Sequence, residues 1–182
     1  KGPARLIQAI ARVHRTHPQV RLLVVGHEMY AGYAEELVAL TRALGVEHIV
    51  TFAGRRGDVP ALLAASDVFA MPSFLEPFGL VYAEAMAMEL PVVALDNGGT
   101  PEVVEHGVSG LLSATDDEDA LVENLAALVA DPTRRDELGR RGRQRVEQNF
   151  TLQRQAAGVA DFYRLLAFGA AAPTTNAKDG MS

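Results

Sequence analysis

The chain has 182 residues, 48% of them hydrophobic, which fits one globular domain with a sizeable core. It contains no cysteine, which excludes disulfides and thiolate metal sites and leads us to expect a reducing, cytoplasmic compartment. Its formal net charge of −6 argues against general nucleic-acid binding, for which a basic patch supplies most of the affinity.

Short apolar runs alternate with helical segments as far as Ser113. The runs are rich in valine and apolar throughout, which is typical of strands buried on both faces of a parallel sheet. Predicted strands are Val20–Gly26, Ile49–Ala53, Val68–Met71, Pro91–Leu95 and Gly110–Ser113. Predicted helices are Ala4–Thr16, Tyr30–Leu44, Val59–Ala65, Gly79–Glu89 and Pro101–Glu105. This succession predicts an α/β fold with a Rossmann-like, doubly wound parallel sheet.

The remainder of the chain is helical and then polar. A helix is predicted over Asp116–Ala130, and Asp131 and Pro132 provide a cap and a first-turn proline for the next one. Thr151 caps a last helix that runs to about Ala167. Small polar residues follow, so we expect a domain over residues 1–168 and a disordered tail over 169–182.

Two carboxylates, Glu76 and Glu84, flank a Pro-Phe-Gly-Leu-Val segment that opens a helix. A helix start presents free backbone N–H groups and the positive end of the helix dipole, which suits a phosphate. Carboxylates beside that phosphate suit the neutral hydroxyls of the same ligand. A nucleotide-sugar, with a central diphosphate and a sugar at either end, fits this arrangement.

The Glu76 to Glu84 spacing resembles the E-x7-E motif of retaining GT-B glycosyltransferases, in particular glycosyltransferase family 4. With the later Asn97-Gly98-Gly99 segment, the resemblance extends from Lys1 to about Tyr163 and covers the donor-binding C-terminal domain of that family. It implies one half of a GT-B fold that transfers a hexose from a nucleoside-diphosphate sugar with retention of configuration. It also implies no metal or other cofactor, and an N-terminal acceptor domain as partner.

The start of the chain adds a further expectation. Lys1 is not preceded by a methionine, so we expect a fragment of a longer protein; neither a signal peptide nor an apolar run of the ~20 residues that cross a membrane is found. In the resembled family, the first strand precedes the Lys-Gly pair and lies inside the sheet. We therefore expect a sheet that lacks its first strand, low stability, a tendency to associate, and little or no turnover by the fragment alone.

The resemblance assigns roles to three charged residues. It implies that Glu76 binds hydroxyls of the donor sugar, that Glu84 binds the ribose hydroxyls, and that Lys1 offsets charge on the leaving diphosphate. The structural alternatives are a helix-capping carboxylate at Glu76 and a solvent-exposed helix residue at Glu84.

The backbone of the same turn supplies further donor contacts. Phe78 belongs to the motif, and Gly79, Leu80 and Val81 carry the unpaired N–H groups at the helix start. Glycine at position 79 lets the backbone approach a ligand, although close packing of helix on sheet also explains it.

Four more donor contacts are predicted at strand ends, where ligands bind in such sheets. Gly26 ends the first strand, but the sequence continues His27-Glu28, and the family often has another glycine two residues on, where Glu28 stands. Arg55 follows the second strand near the expected position of the base, and a solvated arginine is equally compatible with the sequence. Gly98 and Gly99 resemble the family's glycine loop beside the sugar.

Two charged stretches have competing interpretations. Asp117-Glu118-Asp119 spells the D-x-D metal motif of another glycosyltransferase fold, but it lies in the first turn of a helix, where acidic residues complement the dipole. The basic run Arg140–Arg145 favours a solvated helix face, with peripheral contact to the inner face of a membrane as the alternative.

Other functions remain as alternatives. A non-catalytic nucleotide-sugar binding module shares every motif and differs only in activity. A phosphorylase that uses pyridoxal phosphate needs a lysine for a Schiff base, and neither Lys1 nor Lys178 suits that role. A dehydrogenase is disfavoured because no G-x-G-x-x-G follows a strand.

Overall fold

The computed structural model describes residues 1–27 and 30–168, with eight helices and five strands in those ranges. The strands are β1 Leu22–Val25, β2 Val50–Gly54, β3 Phe69–Met71, β4 Val92–Leu95 and β5 Gly110–Ser113. The helices are α1 Pro3–His14, α2 Tyr33–Ala43, α3 Val59–Ala64, α4 Leu80–Ala87, α5 Thr100–Val103, α6 Glu118–Ala130, α7 Pro132–Asn149 and α8 Leu152–Phe168. This order confirms the predicted α/β, Rossmann-like architecture.

The strands form two parallel groups. β1 pairs with β2, from Leu22 opposite Val50 onward, and β4 lies between β3 and β5. Within the described ranges, β1 and β3 each have one strand neighbour, and α1 packs against both of them. This break is consistent with the expectation that a strand is missing from the interior of the sheet.

Two strands of the three-stranded group, β4 and β5, are buried on both faces, and β3 beside β4 is half-buried. Alternate residues of a strand point to opposite faces, so Val93 joins the core beneath α1 and α6, whereas Val92 and Ala94 join the core beneath α4. All four residues of β4 and of β5 are buried. In β1, by contrast, half-buried and exposed residues alternate. The carboxyl end of β3 therefore lies beside a fully buried strand, β4.

Local capping decides where the helices begin. Asp117 Oδ1 accepts a hydrogen bond from Ala120 N–H at 2.8 Å, so α6 begins two residues later than predicted. Asp131 Oδ1 accepts from Arg134 N–H at 3.0 Å, and Thr151 Oγ1 accepts from Arg154 N–H at 3.2 Å. The predicted caps at Asp131 and Thr151 are confirmed, and the cap at Asp117 was not predicted.

The largest boundary error falls on α2. The prediction started this helix at Tyr30, whereas it begins at Tyr33 because Gly32, at φ 92°, adopts a left-handed conformation at the N-cap. The predicted disordered tail lies outside the described residues. Among the helices of residues 1–27 and 30–168, none is long and apolar enough to cross a membrane.

Candidate functional site

A tight turn connects β3 to α4 and carries the first motif carboxylate. Leu75, which is not a glycine, adopts a left-handed backbone conformation with φ 53° immediately before Glu76. Such a conformation costs energy and persists where the surrounding structure enforces it. The turn exposes Leu75 and buries Glu76, which is 5% exposed.

Gly79 is required where the turn becomes a helix. It caps α4 with φ 84°, and a Cβ placed on it falls 2.3 Å from the Tyr82 ring. Tyr82 is fully buried and donates its hydroxyl to the carbonyl oxygen of Met71, the last residue of β3, at 2.9 Å. Burial raises the pKa of the Tyr82 phenol to about 12, and the negative charge of Glu76 acts in the same direction. Tyr82 thus ties α4 to the end of β3.

Lys1 reaches the buried carboxylate from a distant part of the sequence. Its Nζ lies 2.5 Å from Glu76 Oε2, and its side chain is 58% exposed. The next residue, Gly2, packs so tightly that a Cβ on it falls 2.2 Å from the carbonyl oxygen of Pro72. Close contact between the start of α1 and the segment after β3 therefore places the ammonium beside Glu76.

The loop after β4 holds the backbone of the same turn. Gly99 N–H donates to the carbonyl oxygen of Glu76 at 2.8 Å. A Cβ on Gly98 falls 2.3 Å from that same oxygen, and a Cβ on Gly99 falls 2.2 Å from the carbonyl oxygen of Pro77. The two glycines lie next to the candidate site, and their contacts there are with protein backbone.

These elements line an open cavity of about 480 Å³. It is lined by Lys1, Met71, Glu76, Pro77, Phe78, Gly79, Leu80 and Val81. The N–H groups of Leu80 and Val81 have no acceptor in the part of the chain that the structure describes. The cavity therefore combines a cation and free amide donors, which suit an anion, with a carboxylate that suits hydroxyls.

Glu84 lies further along α4 and is exposed. It does not line the cavity, and it has no hydrogen-bond or ion-pair partner among residues 1–27 and 30–168. Its carboxylate is free to accept hydrogen bonds from a ligand that extends beyond the cavity.

Gly26 and Arg55 belong to the two-stranded part of the fold. Gly26 follows β1 and donates its N–H to the carbonyl oxygen of Gly54 at 2.9 Å. Arg55 follows β2 and is exposed. Both occupy carboxyl ends of strands, as predicted, but neither lines the cavity around Glu76.

Known proteins match this chain closely. The family model of glycosyl transferases group 1 matches residues 1–145. The chain belongs to this family. It is 40% identical over 179 residues to a D-inositol 3-phosphate glycosyltransferase of Segniliparus rotundus, and the match covers 95% of this chain and 39% of that protein. It is 36% identical over 179 residues to an alpha-maltose-1-phosphate synthase of Mycobacterium tuberculosis, covering 90% of this chain and 44% of that protein.

A solved structure shows the same architecture. The crystal structure of Anabaena Alr3699/HepE in complex with UDP and glucose matches with a TM-score of 0.82 at 34% identity, over 90% of this chain and 44% of that one. The fold is therefore one Rossmann-like half of a GT-B glycosyltransferase. The group 1 chain described here spans between 39% and 44% of the length of these three proteins.

Several residues of this group 1 site were not among the predicted site residues. Met71 lines the cavity, as does Pro77 of the quoted motif segment, and Tyr82 packs beneath it. Phe150, at the end of α7, packs edge-on against Phe78 with ring centroids 6.0 Å apart. The sequence shows these residues only as apolar members of a strand, a turn or a helix, so their proximity to the site follows from packing.

The two charged stretches make structural contacts in this group 1 chain. Asp117 caps α6, and Asp119 Oδ1 accepts a hydrogen bond from Arg12 at 2.6 Å. In the basic run, carboxylates accompany the arginines: Arg141 pairs with Glu137, Arg143 with Glu147 and Arg145 with Glu105. These ion pairs support the interpretation of α7 as a solvated helix face.

Proposed function

We propose that this chain is the donor-binding half of a retaining hexosyltransferase that uses a nucleoside-diphosphate hexose. The observation that carries the proposal is the convergence of Lys1, Glu76 and the free N–H groups at the start of α4 on one cavity. A cation with amide donors suits a diphosphate, and the adjoining carboxylate suits a sugar.

In this proposal, Glu76 and Glu84 hold the two ends of the donor. Glu76 accepts hydrogen bonds from hydroxyls of the hexose inside the cavity. Glu84, exposed and without a described partner, accepts from the vicinal hydroxyls of the ribose outside it. The carboxylates thus flank the diphosphate, and each contacts neutral groups.

Positive charge assists departure of the diphosphate. The bond from the anomeric carbon to the phosphate oxygen breaks as an oxocarbenium-like centre develops, and negative charge grows on the leaving group. The ammonium of Lys1 and the amide groups of Leu80 and Val81 stabilise that charge. We further propose that this transfer requires no metal ion: the chain assayed together with its N-terminal domain should keep its activity in excess EDTA, and loss of activity there contradicts the proposal.

The acceptor is proposed to bind outside this chain. The chain spans less than half the length of the two relatives named above, and the proposal assigns the cavity around Glu76 to the donor. The acceptor domain is therefore the expected partner, and the chain alone should bind nucleotide but turn over little. A non-catalytic binding module has the same site, and activity restored by adding the N-terminal domain separates the two.

The direct test is a calorimetric panel of UDP, GDP and ADP with their hexose conjugates. We expect one nucleoside diphosphate to bind and its hexose conjugate to bind more tightly. Absence of binding by every member of the panel contradicts the proposed function.

A further inference from the structure

The Lys1–Glu76 ion pair sets the charge of the cavity. The two groups lie 2.5 Å apart, and Lys1 is the one cation within ion-pair distance of Glu76 among the described residues. A buried carboxylate that loses its partner is costly. A diphosphate that attracts the ammonium of Lys1 therefore competes with Glu76 for the same charge.

The two partners differ in their freedom to move. The backbone of Glu76 is held by Gly99 N–H and by the close approach of Gly98, and its side chain is 7% exposed. Lys1 has a long side chain that is 58% exposed. When a diphosphate enters, Lys1 is thus the group that reorients, and Glu76 keeps its place in the cavity.

A nucleotide-sugar and the nucleoside diphosphate left after transfer differ where Glu76 lies. The nucleotide-sugar brings hydroxyl donors that satisfy the carboxylate. The free diphosphate brings none, and its terminal phosphate carries about one further negative charge at pH 7, since such groups have a second pKa of about 6. When the product is bound, the Glu76 carboxylate therefore lacks hydrogen-bond donors, and the additional phosphate charge and the carboxylate repel each other.

We propose, on the basis of the proposed function, that Glu76 makes the site discriminate against its own product. In the donor complex, Glu76 accepts hydrogen bonds from the sugar, and the ammonium of Lys1 binds the diphosphate. After transfer, the unsatisfied carboxylate repels the product and draws Lys1 back. Glu76 is then a specificity-determining residue for donor over product, in addition to a contact for the sugar.

Calorimetry on the unmodified chain and on Glu76→Gln tests this with UDP-glucose, UDP and inorganic pyrophosphate, and with GDP-mannose and GDP as a second pair. Removing the carboxylate should tighten UDP and pyrophosphate by about 3- to 10-fold, because one nearby repulsive charge is lost. Affinity for UDP-glucose should not rise, so the preference for donor over product should fall. Glu102→Gln removes an exposed carboxylate on α5 and should change neither affinity.

The outcomes separate this inference from the proposed function. Equal weakening of UDP and UDP-glucose by Glu76→Gln overturns the inference and leaves the function standing. If no nucleotide binds to any chain, the function fails and the inference that rests on it fails too; tighter pyrophosphate binding by Glu76→Gln then shows only that Glu76 repels an anion at this cavity. If nothing binds to either chain, both are wrong.

A ligand-free measurement tests the ion pair itself. Lys1→Gln should lower the melting temperature by leaving the Glu76 carboxylate unpaired, and adding Glu76→Gln should restore it. An unchanged melting temperature in Lys1→Gln shows that the pair does not control the free site and overturns the inference. If Glu76→Gln folds poorly, the comparison of Lys1→Gln with the unmodified chain still tests the pair.

Discussion

The two groups of strands differ in how completely they are covered. β4 has a strand on each side and a helical core on each face, and Leu95 within it is 1% exposed. β1 has one strand neighbour, and Leu23 within it is 40% exposed. The cavity that contains Lys1 and Glu76 lies at the end of β3, in the three-stranded group, which is the more completely covered of the two. A site that must hold a buried carboxylate in place needs the more rigid platform.

The largest expected effect comes from substituting a lysine into each of the two groups of strands. Leu95→Lys buries an unpaired ammonium and should abolish folding. Leu23→Lys places the charge on an exposed strand, so it should leave folding intact and reduce association. Circular dichroism and sedimentation velocity measure both. The unmodified chain should melt in a concentration-dependent way, and a sharp, concentration-independent melt of a monomer contradicts this prediction.

A matched pair of glycines gives the next largest effect. Gly79 and Gly45 both have positive φ, but a Cβ meets Tyr82 at position 79 and open space at position 45. Gly45→Ala should cost about 1–2 kcal/mol for the backbone conformation alone. Gly79→Ala should cost more and should also weaken nucleotide binding. Chemical denaturation and calorimetry report the two effects, and equal costs contradict the assigned clash.

Substitutions of Glu76 and Glu84, near the three-stranded group, and of Arg55, after β2, test how far the ligand extends. Glu84→Ala should weaken the bare nucleoside diphosphate about tenfold, the loss expected for charge-assisted hydrogen bonds. Glu76→Ala should instead remove the additional affinity given by the sugar. Arg55→Ala, on the two-stranded group, weakens the nucleotide if the base reaches β2. Equal losses for nucleotide and nucleotide-sugar in both glutamate variants contradict the assigned roles.

The smallest effect is a gain in stability at Glu89, which follows α4. Its φ of 59° is unfavourable for a residue with a side chain, and its contact with Arg143 spans 3.7 Å between half-exposed groups. Glu89→Gly should therefore stabilise the chain by about 0.5–1 kcal/mol. The neighbour Met88 has φ −93°, so Met88→Gly should destabilise it. A loss of stability in both variants shows that Glu89 is not strained.

The predicted site residues that line one cavity come mainly from one segment, whose sequence carries both the motif and the local geometry. Phe78, Gly79, Leu80 and Val81 line the cavity as one turn, because a turn and a helix start are local structures. Gly26 and Arg55 lie at strand ends outside this cavity, so their predicted contacts with the donor stay predictions. Strand order and sheet continuity decide which carboxyl ends meet, and no local pattern contains that information.

The sequence by itself determined the alternation of strands and helices, the capping residues and the motif with its two carboxylates, because each depends on neighbours within a few turns of chain. The tertiary structure alone decided that Lys1 pairs with Glu76, that Gly98 and Gly99 hold the Glu76 backbone, and that Tyr82 fixes α4 to β3. These contacts join residues that packing of the sheet and its helices brings together, and that packing places a cation beside a buried carboxylate.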